Sequence, residues 1–520
     1  MTEFFDRHWR KVAFLLGLAG FGFILLITSR YGAGVSGDAV DYLSTADSLK
    51  RGAGFTDFAG EPYIYWPPLY PLLLAGLSWM LHLDTFVVGW WLNALGFGVV
   101  IYLMGVLLRK IFPAEPLWWV WGSLTILTSL SLVQLAANIL SDVVFIVLLM
   151  LYAVWGGNYL ERPTRKCLIG LSLLAGAAAV LRWHGVLVVA SVVLLALIAR
   201  RGSRKIALID AVWSGGLASL PFALWVFGRN YRLFGSFLGY RDTANINRLT
   251  NFGDAFQKIA HWFLPEQLLN RFPAVWLMAG GLILLLLFTS KNTLKQFAMQ
   301  LLAHQNLPWL IFLFLDFIFI ILTSIPYDHA AYFDDRYAVP LFGFVVLLLG
   351  LGIQHLLLKP LSKRRPVARL LLIAVMALWL LYPAYRIYKY ALVTREHGEQ
   401  TYNMYNSERF RQSALVRKLS DPGFDPTQAL YSNYPAAVYF YTRQITQRAP
   451  ISSSGEPTDY DDLYTRFANW PPEEQATLIW FLPNDWHYYY TPDDLTAVAE
   501  LKIEFSSPDG EIYSVTRNDK

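Results

Sequence analysis

The chain has 520 residues, of which 55% are hydrophobic, 16% aromatic and only 16% charged, and its mean hydropathy is +0.38. Soluble domains usually carry about 25% charged residues, so this composition indicates an integral membrane protein. The net charge of +5 comes from short basic clusters between apolar runs, which is a signal of membrane topology and not of nucleic-acid binding. The single cysteine, Cys167, excludes an intramolecular disulfide and a cysteine-based metal cluster.

The first apolar run, Val12–Ser29, follows the N-terminal segment MTEFFDRHWRK and is long enough to span a membrane. It has no small-residue cleavage site and further apolar runs follow it, so we predict a retained helix and not a removed signal peptide. Several of the later runs are shorter than the ~20 residues that a crossing needs. These runs are Pro67–Leu83, Phe86–Leu108, Leu117–Leu140, Val143–Gly157, Cys167–Val180, Val186–Ile198, Ile206–Phe227, Pro273–Ser290, Leu307–Ile325, Val339–Leu358 and Leu370–Tyr385.

Basic clusters between the runs decide how the chain threads the membrane. They lie at residues 109–110, 161–166, 200–205, 290–295 and 359–365. If Pro67–Leu83 crosses fully, the first and third clusters fall outside, against the positive-inside rule. If that run is re-entrant or juxtamembrane and returns to the same side, all five clusters are cytoplasmic. We therefore expect about 11 transmembrane helices, with 12 or 13 as the alternative, and a cytoplasmic N-terminus.

The C-terminal part of the chain differs in character from the rest. Residues 476–483 (ATLIWFLP) predict a buried strand, and residues 491–501 (TPDDLTAVAEL) predict a helix that opens with a threonine cap. The following LKIEFSSPDGEIYSV predicts two strands around a Pro-Asp-Gly turn. We therefore expect a polytopic α-helical transmembrane domain over residues 1–389 and an extracytoplasmic α/β domain over residues 390–520.

The first outer loop, residues 30–66, is rich in carboxylates. Within GDAVDYLSTADSLKRG, small and apolar residues recur at helical spacing and Gly52 is placed to end the helix. Asp38 lies at or just before the start of this helix, and Tyr42 lies one turn further on the same face. One interpretation is that Asp38 caps the helix while Asp41 meets its positive end. The other interpretation is that these acids take part in a catalysed reaction.

The pattern D-x-x-x-Y-x-x-x-A-x-x-L-x-x-G that begins at Asp38, followed by PPLYPLLLA from Pro67, resembles the start of the GT-C superfamily of membrane glycosyltransferases. That superfamily includes protein O-mannosyltransferases and lipid A aminoarabinose transferases. The resemblance is strongest over about residues 10–200, and it implies a GT-C fold with a catalytic base in this loop. Such families usually carry an acid directly after the first aspartate, where this chain has Ala39. This departure leaves both Asp38 and Asp41 as candidates for the base. We prefer Asp38, and Asp41 is the alternative.

The same resemblance gives roles to polar residues further along the chain. Asp142 matches a second outer acid that begins a helix, although Ser141–Asp142 is also an ordinary helix start. Arg182 and His184 lie at a predicted outer corner, where the alternative to a phosphate role is an interfacial anchor with a snorkelling arginine.

Arg336, in the segment DDRYAVP, matches a cation that the family carries before a late helix. It would bind the donor phosphate, and the alternative is a pair with Asp334 or Asp335. Asp316 lies in the middle of an apolar run, so it should face the interior of the helix bundle.

The implied reaction transfers a sugar from a polyprenyl phosphate to an acceptor hydroxyl. A carboxylate takes the hydroxyl proton, cations stabilise the leaving phosphate, and a single displacement inverts the anomeric carbon. We predict as catalytic residues Asp38, Asp41 and Asp142. We predict as donor phosphate-binding residues Arg336, Arg182, Arg232 and Arg241. We predict as substrate-pocket residues Tyr42, Glu61, Tyr65, Trp66, His184, Asp335 and Tyr337.

The expected partners are a polyprenyl-phosphate sugar donor, a glycan, lipid or protein acceptor and membrane lipid, with no nucleic acid. Asp38 and Asp41 are three residues apart, not two as in a D-x-D metal motif, so we expect no cofactor, and the sequence neither requires nor excludes a divalent metal. We expect a multi-pass protein of a cell membrane, in bacteria the inner or plasma membrane. The alternatives are a lipid or glycan transporter or flippase, which would call for matching repeats that are not seen here, and a non-catalytic scaffold.

Overall fold

A computed structural model describes residues 2–113, 115–200, 202–237, 248–323, 335–360, 366–400, 404–424, 428–453, 460–483 and 488–518. The described α-helices are α1 Thr2–Ile27, α2 Gly37–Lys50, α3 Leu69–Leu81, α4 Thr85–Ile111, α5 Pro116–Leu127, α6 Leu130–Ala136, α7 Asp142–Glu161, α8 Arg165–Ala179, α9 Gly185–Ala199, α10 Arg204–Ala223, α11 Tyr231–Phe234, α12 Arg248–His261, α13 Glu266–Arg271, α14 Ala274–Phe288, α15 Lys291–Leu301, α16 Leu307–Thr323, α17 Asp335–Ala338, α18 Phe342–Gly352, α19 Pro366–Trp379, α20 Leu381–His397, α21 Glu408–Gln412, α22 Ala414–Leu419, α23 Pro435–Thr442, α24 Tyr460–Phe467 and α25 Pro492–Leu495. Short π-helical segments, Leu224–Asn230 and Ile353–Leu358, continue two of them, and Val339–Leu341 is a 3₁₀ turn.

The chain divides into two compact units. The first, called the helical unit, comprises Met1–Ile27, Ile64–Leu69 and Trp91–Leu392. The second, called the mixed unit, comprises Thr28–Tyr63, Tyr70–Trp90 and Val393–Lys520. The mixed unit therefore contains most of the first predicted outer loop together with the C-terminal residues.

Six described helices or helix combinations are long and apolar enough to cross a membrane, and a seventh is possible if α5 and α6, bent by 55°, form one span. The six are Arg7–Ile27, Thr85–Ile111, Asp142–Glu161, Arg204–Phe234, Arg336–Leu358 and Pro366–His397. Each overlaps an apolar run predicted from the sequence. The polytopic helical architecture is confirmed, whereas the predicted count of about 11 crossings is not.

The difference in number arises because other apolar helices are short. Examples are α3 with 13 residues and α9 with 15. At 1.5 Å per residue, a 13-residue helix is about 20 Å long, less than the ~30 Å of a bilayer core. A re-entrant or juxtamembrane position for α3 stays a prediction that this length favours.

The C-terminal part of the mixed unit carries one five-stranded sheet with the order β2-β1-β3-β5-β4. The strands are β1 Ala429–Ser432, β2 Thr446–Arg448, β3 Gln475–Phe481, β4 Ala499–Ser507 and β5 Gly510–Arg517. Strand β1 pairs in parallel with β2 and β3, while β5 is antiparallel to β3 and β4. Its core contains Leu478, Trp480 and Tyr490, with Leu463 of α24 packed in the same cluster. The predicted buried strand and the predicted hairpin are both confirmed.

The helix predicted over residues 491–501 is much shorter than expected. Thr491 does form a capping box with Asp494, but α25 covers only Pro492–Leu495. Strand β4 begins at Ala499, and within it Leu501 pairs with Val515 of β5. Cross-strand pairing along β5 overrides the short helical pattern, because the apolar spacing of this segment also fits a strand.

Helix α2 ends as its sequence predicts. Gly52 has φ +78°, a conformation that glycine adopts without the steric cost of a Cβ. The amide of Gly52 donates to the carbonyl of Leu49 at 3.1 Å and that of Ala53 to Ser48 at 3.0 Å, which is the Schellman arrangement. This termination fixes the length of the helix that carries Asp38 and Asp41.

Candidate functional site

Asp38 is the second residue of α2, in the mixed unit. The N-cap is Ser36, whose side chain makes no capping hydrogen bond. The interpretation of Asp38 as the helix cap is therefore wrong, because the helix begins before it. Asp38 and Asp41 are both partly buried. A carboxylate in the first turn lies at the positive end of the helix dipole, which favours negative charge.

Tyr42 lies one turn beyond Asp38 and is almost fully buried, at 1% exposure. Its ring packs edge-on against Tyr70 with centroids 4.9 Å apart. This contact fixes the rotation of α2 about its own axis, since a buried aromatic pair leaves little freedom to turn. It thereby sets the face on which Asp38 lies.

Tyr405 approaches the same end of α2 within the mixed unit. Its hydroxyl lies 3.9 Å from the position that a Cβ on Gly37 would occupy. Burial raises the pKa of Tyr405, and the neighbouring Tyr434 and the charges of Asp41 and Asp38 raise it further. The phenol therefore stays protonated and can donate a hydrogen bond near the two carboxylates. Sequence reasoning missed this residue, because nothing local links residue 405 to residue 38.

In the helical unit, one carboxylate holds two guanidinium groups. Asp142 is the first residue of α7 and is fully buried. Its Oδ2 lies 2.5 Å from Arg182 Nη1 and 3.2 Å from Arg336 Nη2. Arg182 also donates to Ser141 Oγ at 3.3 Å. The burial of Arg182 contradicts a snorkelling arginine. Pairing of Arg336 with Asp334 or Asp335 is not addressed, because Asp334 and the side chain of Asp335 lie outside the described residues.

The corner that carries Arg182 is a tight turn between α8 and α9. The amides of Arg182 and Gly185 donate to the carbonyls of Ala178 and Arg182 at 3.1 and 2.9 Å. A Cβ on Gly185 would lie 2.0 Å from the carbonyl oxygen of Ala178, so only glycine fits here. The turn directs the side chain of Arg182 inwards, where it is 8% exposed.

The segment before α3 lies against this corner. The amide of Leu69 donates to the carbonyl of Val180 at 2.9 Å, and Trp183 Nε1 donates to the carbonyl of Tyr65 at 3.0 Å. The side chain of Tyr65 remains 42% exposed. Tyr65 and the partly buried Trp66 therefore lie beside the corner that positions Arg182.

The cluster formed by Asp142, Arg182 and Arg336 has further aromatic and acidic side chains beside it. The ring of His184 is 5.0 Å from Phe319 and 5.7 Å from Tyr337, measured between centroids. Asp316, on α16, is fully buried and lies within electrostatic range of Arg182. Neither of its carboxylate oxygens has a hydrogen-bond partner among the described residues. The expectation that Asp316 faces the interior is confirmed.

The remaining predicted residues are Glu61, Arg232, Asp335 and Arg241. Glu61 is exposed in a turn, where its amide donates to Asp57 Oδ1 at 3.0 Å. Arg232 is exposed on α11. Asp335 is described only as the first residue of α17. Arg241 lies outside the described residues, so its predicted phosphate role is not addressed.

Sequence reasoning also missed Asn93, a fully buried residue of α4. Its Nδ2 donates to the carbonyl of Leu140 at 3.0 Å and to that of Asn138, so it holds the turn that leads into Asp142. The sequence does contain a signal for this residue: an asparagine within the apolar run Phe86–Leu108 is a polar side chain that needs a partner.

Across the described parts of the chain, no group of three or more His, Cys, Asp or Glu side chains is placed to hold a metal ion.

Comparison with known proteins gives matches in structure and none in sequence. No protein-family model matches the chain, and no curated protein matches it in sequence. In structure it is similar to ArnT from Cupriavidus metallidurans, solved in the apo state and bound to undecaprenyl phosphate. Both superpose with TM-score 0.60, at 14% and 13% identity, over 96% of this chain and 97% of that one.

The chain is also similar to the oligosaccharyltransferase AglB from Archaeoglobus fulgidus, solved in complex with an inhibitory peptide and a dolichol-phosphate. The TM-score is 0.51 at 12% identity, over 99% of this chain and 75% of that one. At identities this low the likeness shows a shared fold and no more. That shared fold agrees with the polytopic helical fold predicted from the sequence.

Proposed function

We propose that this chain, which has the fold of the GT-C superfamily, is a membrane glycosyltransferase that moves a sugar from a polyprenyl-phosphate donor to an acceptor hydroxyl. The observation that carries the proposal is the match in fold to ArnT, which extends over 96% of this chain and 97% of that one. A structure of that neighbour holds undecaprenyl phosphate, and one of AglB holds a dolichol-phosphate. A lipid-linked phosphate donor is therefore the substrate class that these neighbours favour.

Arg182 and Arg336 are the proposed phosphate-binding residues. Each approaches Asp142 through a single nitrogen, and a guanidinium carries five N–H donors in all. Arg336 is 15% exposed through its side chain, which leaves it accessible. Asp142 is proposed as the residue that orients both arginines, in place of the catalytic role first considered for it. A planar, fixed guanidinium suits the oxygens of a phosphate leaving group.

Asp38 is the proposed general base, with Asp41 as the alternative. The acceptor oxygen attacks the anomeric carbon, its proton passes to the carboxylate, and the bond from that carbon to the phosphate oxygen breaks. The electron pair leaves with the lipid phosphate, where cations stabilise the charge. Proton transfer to a positioned carboxylate contributes about 10²–10⁴-fold to such rates. One base and one displacement give inversion at the anomeric carbon.

The test of this proposal is release of polyprenyl phosphate from a panel of synthetic polyprenyl-phosphate sugars. Wild type, Asp38→Asn and Asp41→Asn are purified in nanodiscs and compared for melting temperature, donor binding and turnover. Loss of turnover in Asp38→Asn alone, with donor still bound, supports Asp38 as the base. Equal turnover in all three variants contradicts a catalytic role for this loop.

A second set of variants tests the phosphate site. Arg182→Lys and Arg336→Lys keep the charge but lose the forked geometry, so donor affinity should fall. Arg204→Lys, at the exposed start of α10, is the matched control and should bind donor as wild type does. If wild type turns over no donor yet moves labelled lipid across proteoliposomes, the flippase alternative replaces the transferase.

A further inference from the structure

Asn406 makes three hydrogen bonds to the backbone just before α2. Its Oδ1 accepts from the amide of Val35 at 3.0 Å. Its Nδ2 donates to the carbonyls of Tyr31 at 2.9 Å and Ala33 at 2.7 Å. Asn406 is 3% exposed, and Ala33 and Val35 are fully buried. One side chain therefore satisfies both donors and acceptors of a segment more than 370 residues away in sequence.

Neighbours of Asn406 strengthen the same attachment. The amide of Tyr405 donates to the carbonyl of Val35 at 2.9 Å. Arg411 Nη2 donates to the carbonyl of Tyr31 at 2.8 Å, and its guanidinium lies 5.3 Å from the centre of the Tyr31 ring. All these residues belong to the mixed unit. The segment from Tyr31 to Val35 is thus held by residues 405–411 before the chain enters α2.

This attachment bears directly on Asp38. Helix α2 begins at Gly37, two residues after Val35, and the amide of Val40 already donates to the carbonyl of Ser36. Only Ser36 and Gly37 separate the held segment from Asp38. A shift of the segment is therefore transmitted to the first turn of the helix, because so short a connection has little slack.

We infer that Asn406 is a positioning residue for Asp38, through which the C-terminal part of the chain sets the location of the base. The inference rests on the proposed function and adds to it a required role for residues 405–411. It assigns no contact between Asn406 and substrate. A misplacement of about 1 Å at a reacting group can cost on the order of 100-fold in rate, so precise support of Asp38 matters.

The test uses Asn406→Asp in the full chain. Aspartate keeps the acceptor for Val35 but replaces the donor that serves Tyr31 and Ala33 with an anion that repels both carbonyls. The matched control is Asn433→Asp. Asn433 is also buried and bridges backbone in the same unit, donating to the carbonyl of Phe481 at 3.0 Å and accepting from its amide at 2.9 Å. That bridge joins the residue after β1 to the last residue of β3.

We expect both variants to melt at a lower temperature than wild type. Only Asn406→Asp should lower kcat by about 10- to 100-fold, with donor affinity unchanged and faster hydrogen exchange at residues 35–38. An undiminished kcat in an active, folded Asn406→Asp overturns the inference, and so does an equal loss in Asn433→Asp. A wild type without turnover on any donor overturns instead the proposed function.

A milder variant keeps the test decisive if Asn406→Asp does not fold. Arg411 is exposed, so Arg411→Gln removes one hydrogen bond to Tyr31 at small risk to folding. The expected fall in kcat is about two- to fivefold, from the loss of one hydrogen bond. A kcat equal to that of wild type contradicts the inference, whereas a fall with unchanged donor affinity supports it.

Discussion

Arg443 Nη1 lies 3.2 Å from Asp47 Oδ2, so the residue that follows α23 is paired with the helix that carries Asp38. Asp47 also accepts from Thr85 Oγ1 at 2.8 Å and from the hydroxyl of Tyr439 at 3.4 Å. The second nitrogen of Arg443 lies 3.5 Å from Asp84. Within the mixed unit, Asp47 therefore joins two separate segments to α2: the start of α4, and α23 with the residue that follows it.

Replacing Asp47 by alanine should destabilise the mixed unit more than replacing Asp84. The side chain of Asp47 is 17% exposed and has three partners. That of Asp84 is 53% exposed, pairs with Arg443 at longer range and accepts from the amide of Phe86 at 2.8 Å. Loss of hydrogen bonds to a charged, mostly buried group costs about 1–3 kcal/mol, and an exposed ion pair about 0–1 kcal/mol. Melting temperatures of the two variants give the comparison. Equal losses would show that the ion pair with Arg443 adds nothing beyond a surface contact.

Removing Asp142 should strongly destabilise the helical unit. Asp142→Ala leaves Arg182 and Arg336 buried without the carboxylate that they share, and breaking such a buried pair costs about 3–5 kcal/mol. The variant should have a lower melting temperature than wild type. It should also bind donor more weakly, because the carboxylate no longer orients the two arginines.

The control for this prediction is Asp210→Ala in the same unit. Asp210 pairs with Arg200 at 3.4 Å, and the side chain of Arg200 is 33% exposed, so water can replace the lost partner. Its effect on melting should be clearly smaller. If Asp142→Ala and Asp210→Ala lower the melting temperature equally, the carboxylate that Arg182 and Arg336 share does not contribute more to stability than an ordinary ion pair.

Local sequence patterns predicted local features well. The glycine stop of α2 and the helix start at Asp142 follow from short-range rules on caps and apolar spacing. The sequence predicts Arg182 and Arg336 as cations but not their common partner, since Asp142 is 40 and 194 residues away. Asn406 lies in a segment without regular periodicity, so no local signal marks it. Partners distant in sequence are decided by tertiary packing, which a single sequence does not display.

Gly185→Ala should destabilise the corner between α8 and α9. The new methyl group would lie 2.0 Å from the carbonyl oxygen of Ala178, so the backbone that positions Arg182 must move. We expect a lower melting temperature and weaker donor binding. Gly216→Ala in α10 is the control, because a Cβ there meets nothing within 4 Å. Alanine in a helix interior is favoured over glycine by up to about 1 kcal/mol, so this control should melt at the same temperature or higher. A Gly185→Ala variant that behaved like the control would contradict the tight corner.

The contribution of Asp462 to the stability of the mixed unit should be lost at acid pH. Burial raises the pKa of this carboxyl, but hydrogen bonds from Ser453 and Tyr490 and the charge of Arg466 outweigh it and hold the pKa below the ordinary value of 3.8. A lowered pKa in the folded state stabilises the fold above the unfolded value, and that contribution disappears as the pH falls through the folded value.

Melting temperatures measured from pH 7 down to about pH 2 test this dependence on Asp462. Asp462→Asn should melt below wild type at pH 7, and the difference should shrink as the pH falls below 3.8. Asp461→Asn is the matched control on the same helix, since the Asp461 side chain is exposed. It should follow the wild-type curve at every pH. A difference between Asp462→Asn and wild type that stays constant with pH would contradict this prediction. The asparagine would then destabilise the unit through its altered hydrogen bonds, and the charge of Asp462 would not stabilise it.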